Sequence, residues 1–329
     1  MELLKQLYKI ISKSGMEDRI KSFVLDRLGD VPLTIATDEI GNLFITKGTA
    51  DIYPCVAAHL DEIHAPCERE IMVEGDNVFA VDRLWNRVGC GADDKNGLWV
   101  ILHLLHSEPV LKAALFVQEE RSGDMAGCRG ARACDLSFFD DVAYILECDR
   151  KGSSDVVSIR KGDTVLCPPD FIPEDILHNY GYEMVRGGKT DVVELKMRGL
   201  EIPVCNISCG YYNAHKNSEY TRFSELTRCL AFVREVMRSK EDKVYSTQSL
   251  VKFFQNLRVQ CVQCLLTIDG NHCVLTFLFV QNVIHFYSPL YVPSGGRLST
   301  KPTTRTANHF KVSSSHSKLS RISNVFLIS

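Results

Sequence analysis

Two sets of apolar residues near the start recur at helical spacing. Leu3, Leu4, Leu7, Ile10 and Ile11 form the first, and Ile20, Phe23, Val24 and Leu28 the second. Each set lines one face of a helix, and Gly29 ends the second. Leu33–Ala36 and Leu43–Thr46 read as strands on either side of the turn Asp38-Glu39-Ile40-Gly41-Asn42. Tyr53–His59 is a nearly continuous apolar run, the kind found in a strand buried on both faces. Similar runs occur at Ala113–Gln118, Val142–Glu147 and Pro203–Ser208, separated by helical patterns over Lys95–His106, Asp191–Met197 and Thr221–Met237. Interleaved strands and helices predict an α/β fold: a three-layer sandwich around a central, mostly parallel mixed sheet.

His59, Glu119, Glu120 and Asp149 fall at or just beyond the carboxyl ends of those buried runs. Ligand sites of open α/β sheets form outside the strand carboxyl ends, so separate segments converge on one edge.

Composition narrows the partners. A net charge of -3, 45% hydrophobic and 24% charged residues describe an ordinary globular chain with no electrostatic reason to bind nucleic acid or an anionic membrane. The start, Met1-Glu2-Leu3-Leu4-Lys5, lacks signal-peptide features. The 13 cysteines are odd in number and lie mostly in apolar runs, which suits reduced thiols and a cytoplasmic location.

The chemistry lies in five short segments: His59-Leu60-Asp61, Asp93-Asp94, Glu119-Glu120, Asp149 and His215. Two histidines and several carboxylates suffice for two divalent cations with one carboxylate left as a base, the inventory of a hydrolase that attacks a polarised carbonyl with a metal-bridging hydroxide. On extended backbone His59 and Asp61 project to one face, and a ligating histidine usually has a carboxylate behind it. Asp93 and Asp94 open a helix, where either could cap the helix; a carboxylate such as Asp93 can also bridge two cations. Glu119 and Glu120 point in different directions, so one can ligate while the other works on the water. Tyr211, Tyr212 and Asn213 stand near His215 as candidates for binding an oxyanion or a peptide terminus. Arg150 and Lys151 could pair with Asp149 or touch substrate, with a structural role expected for Lys151. His64, His103, His106 and His178 have no partner pattern and are read as structural or solvated.

These residues resemble the co-catalytic zinc exopeptidases: peptidase T, the zinc aminopeptidases, and their carboxypeptidase and deacylase relatives. Gly91-Ala92-Asp93-Asp94-Lys95-Asn96-Gly97 is similar to the peptidase T pattern at its bridging aspartate. The other segments, with Gly187-Gly188-Lys189-Thr190-Asp191 and Gly210-x-x-Asn213-x-His215, follow in the family's order over residues 1–242. The resemblance implies that His59, Asp93 and Asp149 hold one zinc, and Asp93, Glu120 and His215 the other. Glu119 would be the general acid/base and Asp61 the partner behind His59, with a cis peptide between Asp93 and Asp94. The Asp149-to-His215 interval is too short for the lid or dimerisation domain of the peptidase T branch, which favours a monomeric, single-domain enzyme.

The implied activity is a metallopeptidase acting on short peptides, most simply an aminopeptidase. An N-acyl amino acid deacylase or a carboxypeptidase would use the same metals, and pocket shape makes the choice. A non-catalytic binding protein of this fold is the third reading, weakened because every expected position is filled. The catalytic domain is expected over residues 1–244. Residues 245–329 have one acid, Asp269, among eight basic residues, and are expected to be a basic tail of uncertain fold, either disordered or no natural continuation of the domain. Cys261-x-x-Cys264 with His272 and Cys273 makes poor tetrahedral geometry, because its last two ligands are adjacent.

Overall fold

The computed structural model describes residues 1–120, 127–160 and 162–256, with side chains as far as residue 240, and four strands beyond these. It divides into two units, Met1–Tyr245 and Ser246–Ser329.

In the first unit the strands are β1 (Leu33–Thr37), β2 (Leu43–Lys47), β3 (Tyr53–His59), β4 (Glu70–Glu74), β5 (Asn77–Val81), β6 (Arg87–Val88), β7 (Leu111–Phe116), β8 (Val142–Arg150), β9 (Asp155–Arg160), β10 (Glu183–Gly187), β11 (Val204–Ser208), β12 (Tyr211–Tyr212) and β13 (Tyr220–Arg222). The helices are α1 (Glu2–Lys9), α2 (Asp18–Leu28), α3 (Ala92–Ser107), α4 (Arg129–Ala133), α5 (Glu174–Tyr180), α6 (Asp191–Met197) and α7 (Phe223–Asn256). Eight strands form one mixed sheet in the order β1-β2-β7-β3-β8-β11-β9-β10. Its centre, β7-β3-β8-β11, is parallel throughout.

Side-chain alternation along β3 explains the three layers. Val56 and Ala58 enter one apolar core and Cys55 and Ala57 another, so both faces must be covered. Leu4 and Leu7 of α1, Ile20 and Val24 of α2, the apolar stripe of α3 and Phe232 of α7 cover the first face. Ala131 of α4 and Val192, Val193 and Leu195 of α6 cover the second. This is the sandwich that the apolar runs predict.

A second, antiparallel sheet, β12-β13-β5-β4 with β6 beside β5, goes beyond those runs. Its strands are short and partly exposed, and their apolar stretches, residues 71–73 in β4 and 78–81 in β5, are brief. Helix α3 starts at Ala92, yet Asp93 and Asp94 have non-helical backbone angles, and the regular turns begin at Lys95, where the apolar periodicity begins. The Asp93–Asp94 peptide is cis. Between Asp149 and His215 the chain supplies β9, α5, β10, α6 and β11, which belong to the main sheet and its covering layers, and β12 of the second sheet.

In the second unit β14 (Val262–Asp269), β15 (His272–Phe279), β16 (Leu290–Tyr291) and β17 (Val325–Ile328) form an antiparallel sheet in the order β16-β15-β14-β17. Cys261 lies outside the described residues, as do the side chains of Cys264, His272 and Cys273. No helix among the described residues is long and apolar enough to cross a membrane.

Candidate metal centre

Parallel β3, β7, β8 and β11 end on the same edge of the sheet, and their ends bring the five segments together. His59 closes β3, Asp149 lies at the end of β8, Glu119 and Glu120 follow β7, and His215 stands in the loop after β12. That loop turns sharply: Asn213 and His215 have φ values of 55° and 66°.

The two histidine rings reach different oxygens of Asp93. His59 Nε2 lies 3.0 Å from Asp93 Oδ1 and 3.5 Å from Asp149 Oδ1. His215 Nε2 lies 3.2 Å from Asp93 Oδ2 and 2.5 Å from Glu120 Oε1. Two groups of ligand atoms result, His59–Asp93–Asp149 and Asp93–Glu120–His215, each within 4.8 Å and each using a different oxygen of Asp93. His59 with Glu119 and Glu120 makes a third such group. On its far side His59 Nδ1 faces the backbone oxygen of Asp61 at 3.0 Å, with the Asp61 carboxylate at 3.4 Å. That carboxylate also accepts from the amides of Glu119 and Glu120, at 2.9 and 3.0 Å. Asp61 thus ties the histidine to the glutamate turn.

Asp149 is fixed by Asn206, which accepts from its amide and donates to its carbonyl, both at 3.0 Å. Asp94 acts as a cap: it accepts from Gly97 N at 2.9 Å and from His59 N at 3.2 Å. A Cβ on Gly97 would come within 2.6 Å of the Asp94 carboxylate oxygens, so the capping geometry requires glycine there.

The charges expose an anionic cluster short of positive charge. Burial pushes Asp149 well above the usual carboxylate range, and the Asp93 charge adds to it. Burial works against a charged His59 ring, yet the Asp149 carboxylate and neighbouring hydrogen bonds raise it well above its ordinary value. Hydrogen bonds to Asp93 and Glu120 lift His215 to about 10. Asp93 moves the other way, because hydrogen bonds from His215 and His59 outweigh its burial. Protons on imidazoles and on a carboxyl meet a demand for positive charge that divalent cations meet without proton uptake. The donor set fits two such ions, with three protein ligands around each position and Asp93 common to both.

Glu119 sits beside this cluster. Burial, reinforced by Glu120 and Asp93, raises it to about 7, and Cys128 Sγ donates to its Oε1 at 3.1 Å. Behind it lie two buried acids that sequence reasoning missed. Burial pushes Glu147 to about 8, and holds Asp191 well above the usual range with help from Glu119 and Glu147.

Glu219 was also missed. Fully buried, it accepts from Cys90, Gly91 and Ala92 amides at 3.0, 2.7 and 3.2 Å, and faces His64 Nε2 at 3.1 Å. It anchors the turn that presents Asp93 and explains the structural role of His64. Sequence offered one weak signal, an acid four residues after His215. A buried ion-pair cluster underlies the same turn: Glu62 with Lys95 at 2.7 Å and Arg69 at 2.9 Å.

Of the three candidates near His215, only Tyr211 reaches the cluster, its hydroxyl 3.5 Å from Asp149 Oδ1. Tyr212 bonds Glu225, and Asn213 bonds the Ser218 carbonyl. Arg150 pairs with Asp155 at 2.8 Å. Lys151, expected to be structural, lines the cavity of about 360 Å³ that holds Asp93, Glu119, Glu120, Asp149 and His215.

No family model matches the sequence, and no curated protein matches it significantly. Solved structures do match. Aminopeptidase PepT of Bacillus cereus superposes with a TM-score of 0.59 at 14% identity, over 71% of this chain and 96% of that one. A tripeptidase of Staphylococcus aureus gives 0.57 at 14%, over 71% and 96%. An aminopeptidase of the archaeon Desulfurococcus kamchatkensis gives 0.56 at 15%, over 70% and 92%. The chain therefore shares the fold of these aminopeptidases and of the tripeptidase.

Proposed function

We propose that the protein is a metal-dependent peptidase that removes the N-terminal residue of short peptides. The observation that carries this reading is the pair of three-ligand groups sharing Asp93, with the buried base candidate Glu119 beside them. His59, Asp93 and Asp149 would hold one divalent cation, and Asp93, Glu120 and His215 the second. The imidazole donors favour zinc. Such a pair, when bound, supplies Lewis acidity for water and for the scissile carbonyl. Glu119 takes the proton of the attacking water and returns it to the leaving amine, a contribution of about 10²–10⁴-fold. Asp61 holds the His59 ring and the Glu119–Glu120 turn in register through the contacts already described.

Supporting an aminopeptidase in particular are the fold neighbours, two of them described as aminopeptidases and one as a tripeptidase. Residues 1–244 are the proposed catalytic domain, and truncation after residue 244 is expected to retain activity. The deciding experiment measures metal content of the purified chain and its hydrolysis of amino-acid amides, short peptides and N-acyl amino acids. Two zinc ions per chain and turnover only with a free amine are expected. Turnover confined to blocked amines would refute the aminopeptidase reading, and bound zinc with no turnover on any substrate would refute the peptidase reading.

A further inference from the structure

The centre offers three ligand groups, and the proposed function uses two. The third sets a Glu119 carboxylate oxygen within 4.8 Å of a His59 nitrogen and a Glu120 oxygen. Bound divalent ions attract every carboxylate in reach, and a carboxylate that ligates them is no longer free to take a proton from water. Glu119 therefore needs a restraint. Residues 128–130 run alongside 117–119: Cys128 N donates to Glu119 O at 2.9 Å, Arg129 N to Gln118 O at 3.1 Å and Gly130 N to Val117 O at 3.0 Å. Glycine at 130 permits that approach, since a Cβ there would come within 2.6 Å of the Val117 carbonyl oxygen. This register puts Cys128 opposite Glu119, and its Sγ donates to Glu119 Oε1 at 3.1 Å. Burial pushes the thiol up, so it keeps the proton it donates. Glu119 lines the metal cavity, whereas Cys128 is fully buried in the apolar cluster that α4 and α6 cover. Its pull on the carboxylate is directed into the core. Cys128 also has a φ of 53°, a left-handed backbone that disfavours any side chain; the thiol contact is a reason for cysteine to stand there.

We infer that Cys128 is a positioning residue whose thiol holds Glu119 off the two metal positions, keeping that carboxylate a base instead of an additional ligand. The inference rests on the peptidase reading and deepens it, by naming the contact that separates the role of Glu119 from that of its neighbour Glu120. Without the thiol, the only side-chain donor on Oε1 among the described residues is gone, and the carboxylate is free to turn toward His59 and Glu120.

The test titrates the metal-free, full-length chain with zinc against a chromophoric chelator, and follows trialanine hydrolysis by the zinc-loaded chain. In Cys128→Ala the zinc dissociation constant should fall about tenfold and kcat about 10–100-fold, the scale on which groups behind metal ligands act, while KM stays near the parent's. Cys128→Ser keeps a donor on the same Cβ and should match the parent in both. Adding Glu119→Ala should abolish the affinity gained by Cys128→Ala, which assigns the gain to that carboxylate. Cys128→Gly removes the same thiol at a φ that glycine adopts freely, and so covers a failure of the alanine variant to fold. A merely structural role has the opposite sign, because a loosened site binds zinc more weakly. Zinc affinity unchanged or weaker in Cys128→Ala and Cys128→Gly, a gain that survives Glu119→Ala, or undiminished kcat in Cys128→Ala would overturn the inference. If zinc binding tightens but the parent cleaves nothing, the restraint stands and the peptidase reading fails. If the parent cleaves trialanine and zinc binding does not tighten, the restraint fails and the peptidase reading stands.

Discussion

Glu219→Gln should cost about 3 kcal/mol of folding stability and loosen the metal site, although Glu219 belongs to neither ligand group. One carboxylate oxygen, Oε2, accepts from the amides of Cys90, Gly91 and Ala92 at 3.0, 2.7 and 3.2 Å in a fully buried position. A hydrogen bond to a charged acceptor contributes about 1.5–3 kcal/mol and a neutral one about 0.5–1.5. With glutamine's amide oxygen in the same place, all three bonds survive at the lower value, a loss of about 1 kcal/mol each. Glu219→Ala strands the three amides instead, at about 1–3 kcal/mol apiece. That approaches the whole stability of a typical domain, about 5–15 kcal/mol. Because the next residue is Asp93, slackness in this turn should also weaken zinc binding. Urea denaturation followed by circular dichroism, with zinc titrations of the same proteins, reads both effects. A glutamine variant within 1 kcal/mol of the parent and with unchanged zinc affinity would refute the claim that Glu219 positions the bridging aspartate.

Glu119→Gln should lower kcat by about 10²–10⁴-fold while KM and zinc content stay near those of the parent; a parallel loss of zinc would make Glu119 a ligand rather than the base. The Glu62 carboxyl is opposed by burial, but Lys95 and Arg69 hold it below its ordinary value of 4.5. A depressed folded-state value makes its contribution complete above 4.5 and lost as pH falls through the lower, folded value. Urea midpoints should therefore fall on acidification below 4.5, and Glu62→Gln should flatten that decline and cost about 3–5 kcal/mol at pH 7 by leaving Lys95 buried and unpaired. Gly91→Ala should also destabilise, since Gly91 has a φ of 66° and a Cβ there would come within 1.9 Å of Glu62 Oε2 and 2.4 Å of Lys95 Nζ. A thermal melt unchanged by that substitution would count against the close packing of the turn on the ion pairs.

The strands of the main sheet's centre were legible because burial on both faces leaves a continuous apolar run, as in Tyr53–His59, that needs no knowledge of its neighbours. Helix α3 was legible from Lys95 onward for a similar reason: its periodicity belongs to one segment. The residue types of the candidate site could also be read, because imidazoles and carboxylates at strand carboxyl ends are a local pattern. Tertiary structure decided the rest. In the small sheet β13 pairs with β5 more than a hundred residues away, and the apolar stretches of β4 and β5 are only three and four residues long. Glu219 meets its amides across a similar separation. The partner of Arg150, left open between Asp149 and substrate, proved to be Asp155. Periodicity and residue type are properties of a segment and survive in the sequence alone; distance, burial and charge balance are properties of pairs, and only the folded chain sets them.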